Sequence, residues 1–185
     1  MRVFLDTEFT ALRQDARLIS LALVAENGSY FYAEFTDFDA SALSDWHKEH
    51  ILPSLIIGTA RERFLPPFGK CCRGTQTQVR KILEDWLHSH NEQLIIWADV
   101  PAYDWVLFCQ LFGGALHLPE NIHYIVRDLA TLLESKGHDP DLNRFDFAYR
   151  QQPPPFQLPQ HNALADAFAG LACLEKLVYL QTNSS

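Results

Sequence analysis

The chain has little of what would place it in a specialised class. It holds four cysteines, Cys71, Cys72, Cys109 and Cys173, and none shows the spacing of a zinc site. Two are adjacent, which suits no disulfide framework either, so free thiols in a reducing, cytoplasmic setting are expected. No apolar run approaches the ~18–20 residues that span a bilayer, so no membrane partner is expected. The N-terminal apolar run is interrupted by Asp6 and Glu8 and is followed by no small-residue cleavage site, so it reads as a strand and not as a signal peptide. A net charge of −8 excludes a protein that coats nucleic acid by bulk attraction. There is no internal repeat.

What remains is ordinary globular composition, 48% hydrophobic and 21% charged. A chain of 185 residues buries a core without staples, and it reads as one domain over 1–180 with a disordered tail over 181–185. The charge is uneven. Arg61, Arg63, Lys70, Arg73, Arg80 and Lys81 face Glu62 alone, a local +5 that leaves −13 on the rest. Such a segment suits a local polyanion grip and equally a solvated loop.

Hydrophobic patterning predicts strands over 2–9, 17–25 and 29–35, the last two joined by the hairpin turn Glu26-Asn27-Gly28. A short amphipathic helix is expected over 41–52 with Trp46 facing inward, then a loop over 57–76. A helix capped by Thr75 or Thr77 runs to about residue 90. The LIIW run at 94–97 reads as a buried parallel strand, followed by a helix over 102–112 that Gly113-Gly114 ends. A fifth strand is expected over 123–126, then helices over 128–135 and 143–150. A proline-rich loop at 151–160 leads into a long helix over 162–179. This order predicts an α/β fold: a mixed five-stranded sheet, antiparallel meander plus parallel strands, flanked by helices with the first strand central.

Three acidic sites punctuate that frame. Asp6 and Glu8 lie one residue apart on the first strand, so their side chains leave the sheet on one face. Like charges ~4 Å apart cost ~4 kcal/mol at an effective dielectric near 20. The pair therefore either splays into water or holds something positive. Asp99 and Asp104 follow the LIIW strand, where α/β sheets place their chemistry. His161 and Asp166 stand where the proline-rich loop enters the last helix. Five helical residues turn ~140° about the axis beyond one full circle, so His161 belongs before the helix and bends back.

Read together, D-x-E at Asp6 and Glu8, D-x3-Y-D at Asp99, Tyr103 and Asp104, and H-x4-D at His161 and Asp166 resemble the three motifs of the DEDDh 3′–5′ exonucleases. That superfamily includes RNase T, oligoribonuclease and polymerase proofreading epsilon subunits. DTEFT and WADVPAYDW look closest to small single-domain bacterial and phage exoribonucleases similar to RNase T. Asp99 departs from the pattern, replacing the family's asparagine.

The resemblance implies an RNase H-like fold and two divalent ions, Mg²⁺ or Mn²⁺, on Asp6, Glu8, Asp104 and Asp166. Hard oxygen ligands agree with those metals. It implies Asp6 between both ions and His161 as the base that takes a proton from the attacking water; an imidazole's ordinary pKa near ~6.5 suits that role. It implies as partner RNA with a free 3′ end, DNA being possible, released as nucleoside 5′-monophosphates. Substrate contacts are expected from Thr7, Phe9, Thr10, Asp99 and Tyr103, and from Arg61, Arg63 and Arg73 of the basic segment. A homodimer is implied as well. The nearest alternative is a DNA exonuclease of the proofreading type, and a further one is a silent nucleotide- or protein-binding module. Retention of all five motif residues argues against the silent module.

Overall fold

In the computed structural model, which describes residues 1–150, 153–154 and 156–182, six strands form one mixed sheet. They are β1 (Arg2–Phe9), β2 (Leu18–Ala25), β3 (Tyr30–Phe35), β4 (Gly69–Gly74), β5 (Ile95–Ala98) and β6 (Arg127–Asp128). The order is β4-β3-β2-β1-β5-β6, so β1 is interior, antiparallel to β2 and parallel to β5. Every residue of β2 and β3 is buried, because helices and loops cover both sheet faces and leave no wet side for polar residues.

Val3 and Leu5 of β1 belong to one core layer, which includes residues of α1 (Gln76–His88) and α2 (Ala102–Leu111). Phe4 points to the other, with α3 (Leu129–Ser135), α4 (Arg144–Tyr149) and α5 (Ala163–Thr182). Polar caps start these helices where expected. Thr75 and Gln78 form a capping box on α1, and Asp128 and Asn143 accept the first N–H groups of α3 and α4. The left-handed Gly28, φ 86°, closes the hairpin between β2 and β3.

The structure corrects the sequence reading at four places. The sheet has six strands, not five, because β4 forms inside the expected loop. GKCCRG has no alternation to betray it; it pairs in parallel along β3 from Tyr30↔Gly69 to Phe35↔Gly74. Gly69 is required there, since a Cβ would lie 1.8 Å from the Tyr30 ring. The strand expected over 123–126 is displaced to β6, two residues long. The helix expected over 41–52 breaks into 3₁₀ turns at Ala40–Ala42 and Leu52–Ser54 around a π-type turn at His47–Ile51. Leu43 and Ile51 anchor it against Ile19, and Trp46 is 47% exposed instead of facing inward. Finally, α5 continues through Thr182, so Gln181 and Thr182 are helical and not tail. Residues 183–185 of that tail, and 151, 152 and 155 of the proline-rich loop, lie outside the described residues.

All four cysteines are free thiols. No helix among the described residues is long and apolar enough to cross a membrane.

Candidate active site

The end of β1 collects carboxylates from three elements. Asp6 and Glu8 share the Phe4 face, and Asp166 reaches them from the first turn of α5. One oxygen from each of the three lies within 4.8 Å of the others. The approach depends on Gly170, one helical turn after Asp166 and on the same helix face. A Cβ on Gly170 would stand 2.1 Å from the Phe4 ring. The bare backbone thus lets α5 settle onto β1 and delivers Asp166 to the strand end. A register shift between Glu8 and Phe9 interrupts the β1–β2 ladder at the same point.

Asp104 enters from the other face. It lies in the first turn of α2, and its Oδ1 accepts from both the Thr7 amide at 3.0 Å and the Thr7 hydroxyl at 2.7 Å. Thr7 is therefore a clamp for Asp104. Asp104 falls outside the three-carboxylate cluster but still acts on it electrostatically.

Burial, with the neighbouring negative charges, holds these carboxyls far from their ordinary behaviour. Loss of water, then the charges of Asp166, Asp104, Glu8 and Asp99, push Asp6 well above the usual range. Glu8 is pushed up to about 8 by burial and by Asp166 and Asp104. Burial raises Asp166 to about 7. Asp104 is raised by burial too, against the lowering effect of its Thr7 hydrogen bonds. Among the described residues no arginine or lysine makes an ion pair with any of the four. An all-oxygen carboxyl cluster with no paired basic side chain, whose protons a cation would displace, fits a hard divalent cation such as Mg²⁺ or Mn²⁺.

His161 precedes α5 with a left-handed backbone, φ 57°, which is uncommon outside glycine. A buried network holds it there. The Ser54 hydroxyl bonds to the carbonyls of His161 and Ile51. The adjacent Asn162 accepts from the Leu164 and Ala165 amides and donates to Ser54 O at 2.8 Å and to the Tyr32 hydroxyl at 3.0 Å. Tyr32 donates to the buried Glu34, whose Oε1 also accepts from the Ile56 and Ile57 amides. The His161 ring meets Trp46 edge-on, with centroids 5.4 Å apart, and Trp46 stacks on His50. His47 donates from Nε2 to the carbonyl of Phe9, tying this turn to the end of β1. Sequence reasoning missed Trp46, His47, His50, Ser54, Asn162 and the Tyr32–Glu34 pair. The nearest signal in the sequence was the amphipathic stretch over 41–52, which was expected to turn Trp46 inward.

A cavity of about 290 Å³ opens beside the cluster, lined by Asp6, Asp99, Arg144, Phe145, His161 and Asp166 among others. Asp99 is thus at the site, paired with Arg144 at 2.9 Å. Phe9 and Tyr103 stack on each other, 5.5 Å between centroids and 21° between planes. Thr10 is engaged in the turn after β1, its hydroxyl accepting from the Arg17 amide. The basic segment stands apart. Arg61 and Arg63 lie on a 3₁₀ turn at Ala60–Phe64 and Arg73 on β4; none of the three lines this cavity.

Comparison with known proteins fits this geometry. The family model described as the 3′–5′ exoribonuclease Rv2179c-like domain matches residues 1–178. The 3′–5′ exoribonuclease Rv2179c of Mycobacterium tuberculosis H37Rv is 35% identical over 168 residues, covering 90% of this chain and 87% of that protein. The 3′–5′ exoribonuclease MT2234.1 of the CDC 1551 strain matches equally. Among solved structures, the RNase domain of yeast Pop2 superposes with a TM-score of 0.54 at 14% identity, over 95% of this chain and 78% of that one. The catalytic unit of Neurospora crassa Pan2 gives 0.55 at 13% identity, over 100% of this chain and 28% of that one. These two likenesses speak for the fold, an RNase H-like mixed sheet. On the matched family and the relatives at 35% identity, the chain belongs to the Rv2179c-like 3′–5′ exoribonuclease domain family, hydrolases of phosphodiester bonds.

Proposed function

We propose that this protein is a divalent-metal-dependent 3′–5′ exoribonuclease of the DEDDh type, acting on RNA with a free 3′ end and releasing nucleoside 5′-monophosphates. The observation that carries the reading is the cluster of Asp6, Glu8 and Asp166, three oxygens within 4.8 Å and no paired cation among the described residues. These residues, with Asp104, would hold two Mg²⁺ or Mn²⁺ ions. Bound there, the ions supply Lewis-acid stabilisation of the attacking and leaving oxygens of an in-line displacement.

The chain's own groups supply the rest. Asp6, whose carboxyl feels the charges of Asp166, Asp104 and Glu8, would be the ligand common to both ions. Thr7 fixes the rotamer of Asp104 through two hydrogen bonds. His161 would take the proton of the attacking water; its lining the same cavity as Asp6 and Asp166 supports that role. The P–O3′ bond of the last linkage breaks, leaving a 3′ hydroxyl on the shortened strand. Phe9 and Tyr103, already stacked, would offer a face to a terminal base. Arg61, Arg63 and Arg73 would meet phosphates upstream, in the same subunit or across a homodimer. The single domain over 1–180 belongs to the same reading.

The test is a 5′-labelled RNA oligomer incubated with Mn²⁺ or Mg²⁺. The expected result is a ladder shortened from the 3′ end with 5′-monophosphates released, and no hydrolysis in EDTA. Internal cuts, or full activity in EDTA, would overturn the proposal. A matched DNA oligomer separates the ribonuclease from the deoxyribonuclease reading, and sedimentation reads the dimer.

A further inference from the structure

Asp99 is the one motif residue that departs from the family pattern it resembles, and it has acquired a partner. Its Oδ1 accepts from Arg144 Nη2 at 2.9 Å. Arg144 opens α4, and its guanidinium is also held by the carbonyls of Pro140 and Leu142. The arginine side chain is 15% exposed and that of Asp99 28%, so both are largely withdrawn from water. A guanidinium gripped by three acceptors has little freedom left, and it fixes the carboxylate it binds. The arginine offsets part of the charge that the carboxylate brings to a site already crowded with carboxylates, where Asp99 still contributes to raising Asp6.

What the replacement changes is hydrogen-bonding character. An asparagine offers a donor and an acceptor, whereas an ionised carboxylate only accepts. Oδ1 is taken by Arg144; Oδ2 accepts no hydrogen bond among the described residues. Asp99 shares its cavity with Asp6, His161 and Asp166, where the terminal nucleotide must lie for hydrolysis at its phosphate. An acceptor-only group in that wall repels phosphate oxygens and selects a donor. Every terminal ribonucleotide carries hydroxyl donors on its sugar, whatever its base.

We propose that Asp99, oriented by Arg144, accepts a hydrogen bond from a hydroxyl of the 3′-terminal ribose and so sets the preference for a ribonucleotide or free 3′-hydroxyl terminus. The assignment rests on the exoribonuclease reading above. It makes Asp99 a specificity-determining residue and Arg144 the positioning residue behind it.

The test uses single-turnover hydrolysis of oligomers identical except for the last sugar: ribose, 2′-deoxyribose or 3′-deoxyribose. Wild type is expected to prefer ribose over at least one deoxy terminus, and the arm that loses tells which hydroxyl is read. In Asp99→Ala that preference should fall ~10–100-fold, the range of a hydrogen bond to a charged group. Asp99→Asn, which keeps one acceptor oxygen, should retain part of it. Arg144→Ala should lower the preference as well; if that variant fails to fold, the two Asp99 variants decide. A ribose-to-deoxyribose ratio within twofold of wild type on both arms in Asp99→Ala would overturn the proposal, as would a change that follows the base and not the sugar. Should wild type shorten none of the oligomers, the exoribonuclease reading itself fails. Shortening with an unmoved ratio sinks the Asp99 assignment alone.

Discussion

Two charged regions of this protein are built on opposite terms. At the end of β1, Asp6, Glu8 and Asp166 crowd together with no cation paired to them among the described residues. Along the β4 edge and the turn before it, each arginine named above has a partner inside the protein. Arg61 donates to Pro53 O at 2.8 Å, Arg63 lies 4.7 Å over the Phe64 ring, and Arg73 stands 4.0 Å from Glu34. A folded chain that holds like charges together at a cost, on rigid elements, stores affinity for something of opposite sign. A chain whose charges have found partners at its surface has spent most of theirs. The carboxylates should therefore govern chemistry, and the arginines should at most tune binding.

The sharpest way to break the comparison is to neutralise the carboxylates singly. Asp6→Asn, Glu8→Gln, Asp104→Asn and Asp166→Asn should each lower hydrolysis ~10⁴-fold, since metal stabilisation is worth several kcal/mol of barrier. The same variants should stabilise the ion-free protein. With Glu8 raised to about 8 and Asp166 to about 7, the folded state keeps protons that the unfolded state has released. Ion-free stability must therefore fall as pH rises from the ordinary carboxylate range through about 8. Melting curves with EDTA at pH 5 and pH 8 check the sign: Asp166→Asn should gain most at pH 8, at ~2–4 °C per kcal/mol relieved. Near-normal activity in two of the four variants would end the two-ion assignment.

His161→Ala is next. A general base contributes ~10²–10⁴-fold, so kcat should fall by that factor with little change in binding, and alkaline pH should restore part of it. A loss confined to affinity would make His161 a substrate-binding residue.

Gly170→Ala probes how the cluster is assembled. The added methyl meets the Phe4 ring at 2.1 Å, so α5 must retreat from β1. Overpacking of this kind costs ~1–3 kcal/mol, and an ångström of displacement at Asp166 costs up to ~10²-fold in rate. Unfolding and activity measured together check it; an unperturbed rate would show that Asp166 tolerates a looser fit.

The smallest effect belongs to the basic edge. Reversing Arg61, Arg63 and Arg73 together should weaken binding of long RNA. Its log–log salt slope should flatten by ~0.7 for each phosphate that the arginines no longer neutralise. Dinucleotide cleavage should change little beside that. An unmoved slope would make the segment purely structural.

Much of this was legible before any fold was known. The run 2–9 became β1 to the residue, the hairpin formed at Glu26-Asn27-Gly28, and Thr75 capped α1 as expected. The five motif residues were visible because each sits at a strand end or helix start, where local patterning is strongest. Periodicity and capping are local codes, and the chain carries them within a dozen residues.

Tertiary structure alone decided the rest. β4 has no strand pattern of its own and exists because β3 offers it an edge. The expected helix at 41–52 gave way to irregular turns that set Trp46 and His50 against His161. The Asn162–Tyr32 hydrogen bond joins residues 130 apart, and Arg144 meets Asp99 across 45. Side-chain partners so distant leave no trace in local spacing: each residue alone looks like an ordinary polar residue. They meet only after sheet and helices have packed, and burial then makes the pairing obligatory, because an unpaired polar group withdrawn from water costs ~1–3 kcal/mol.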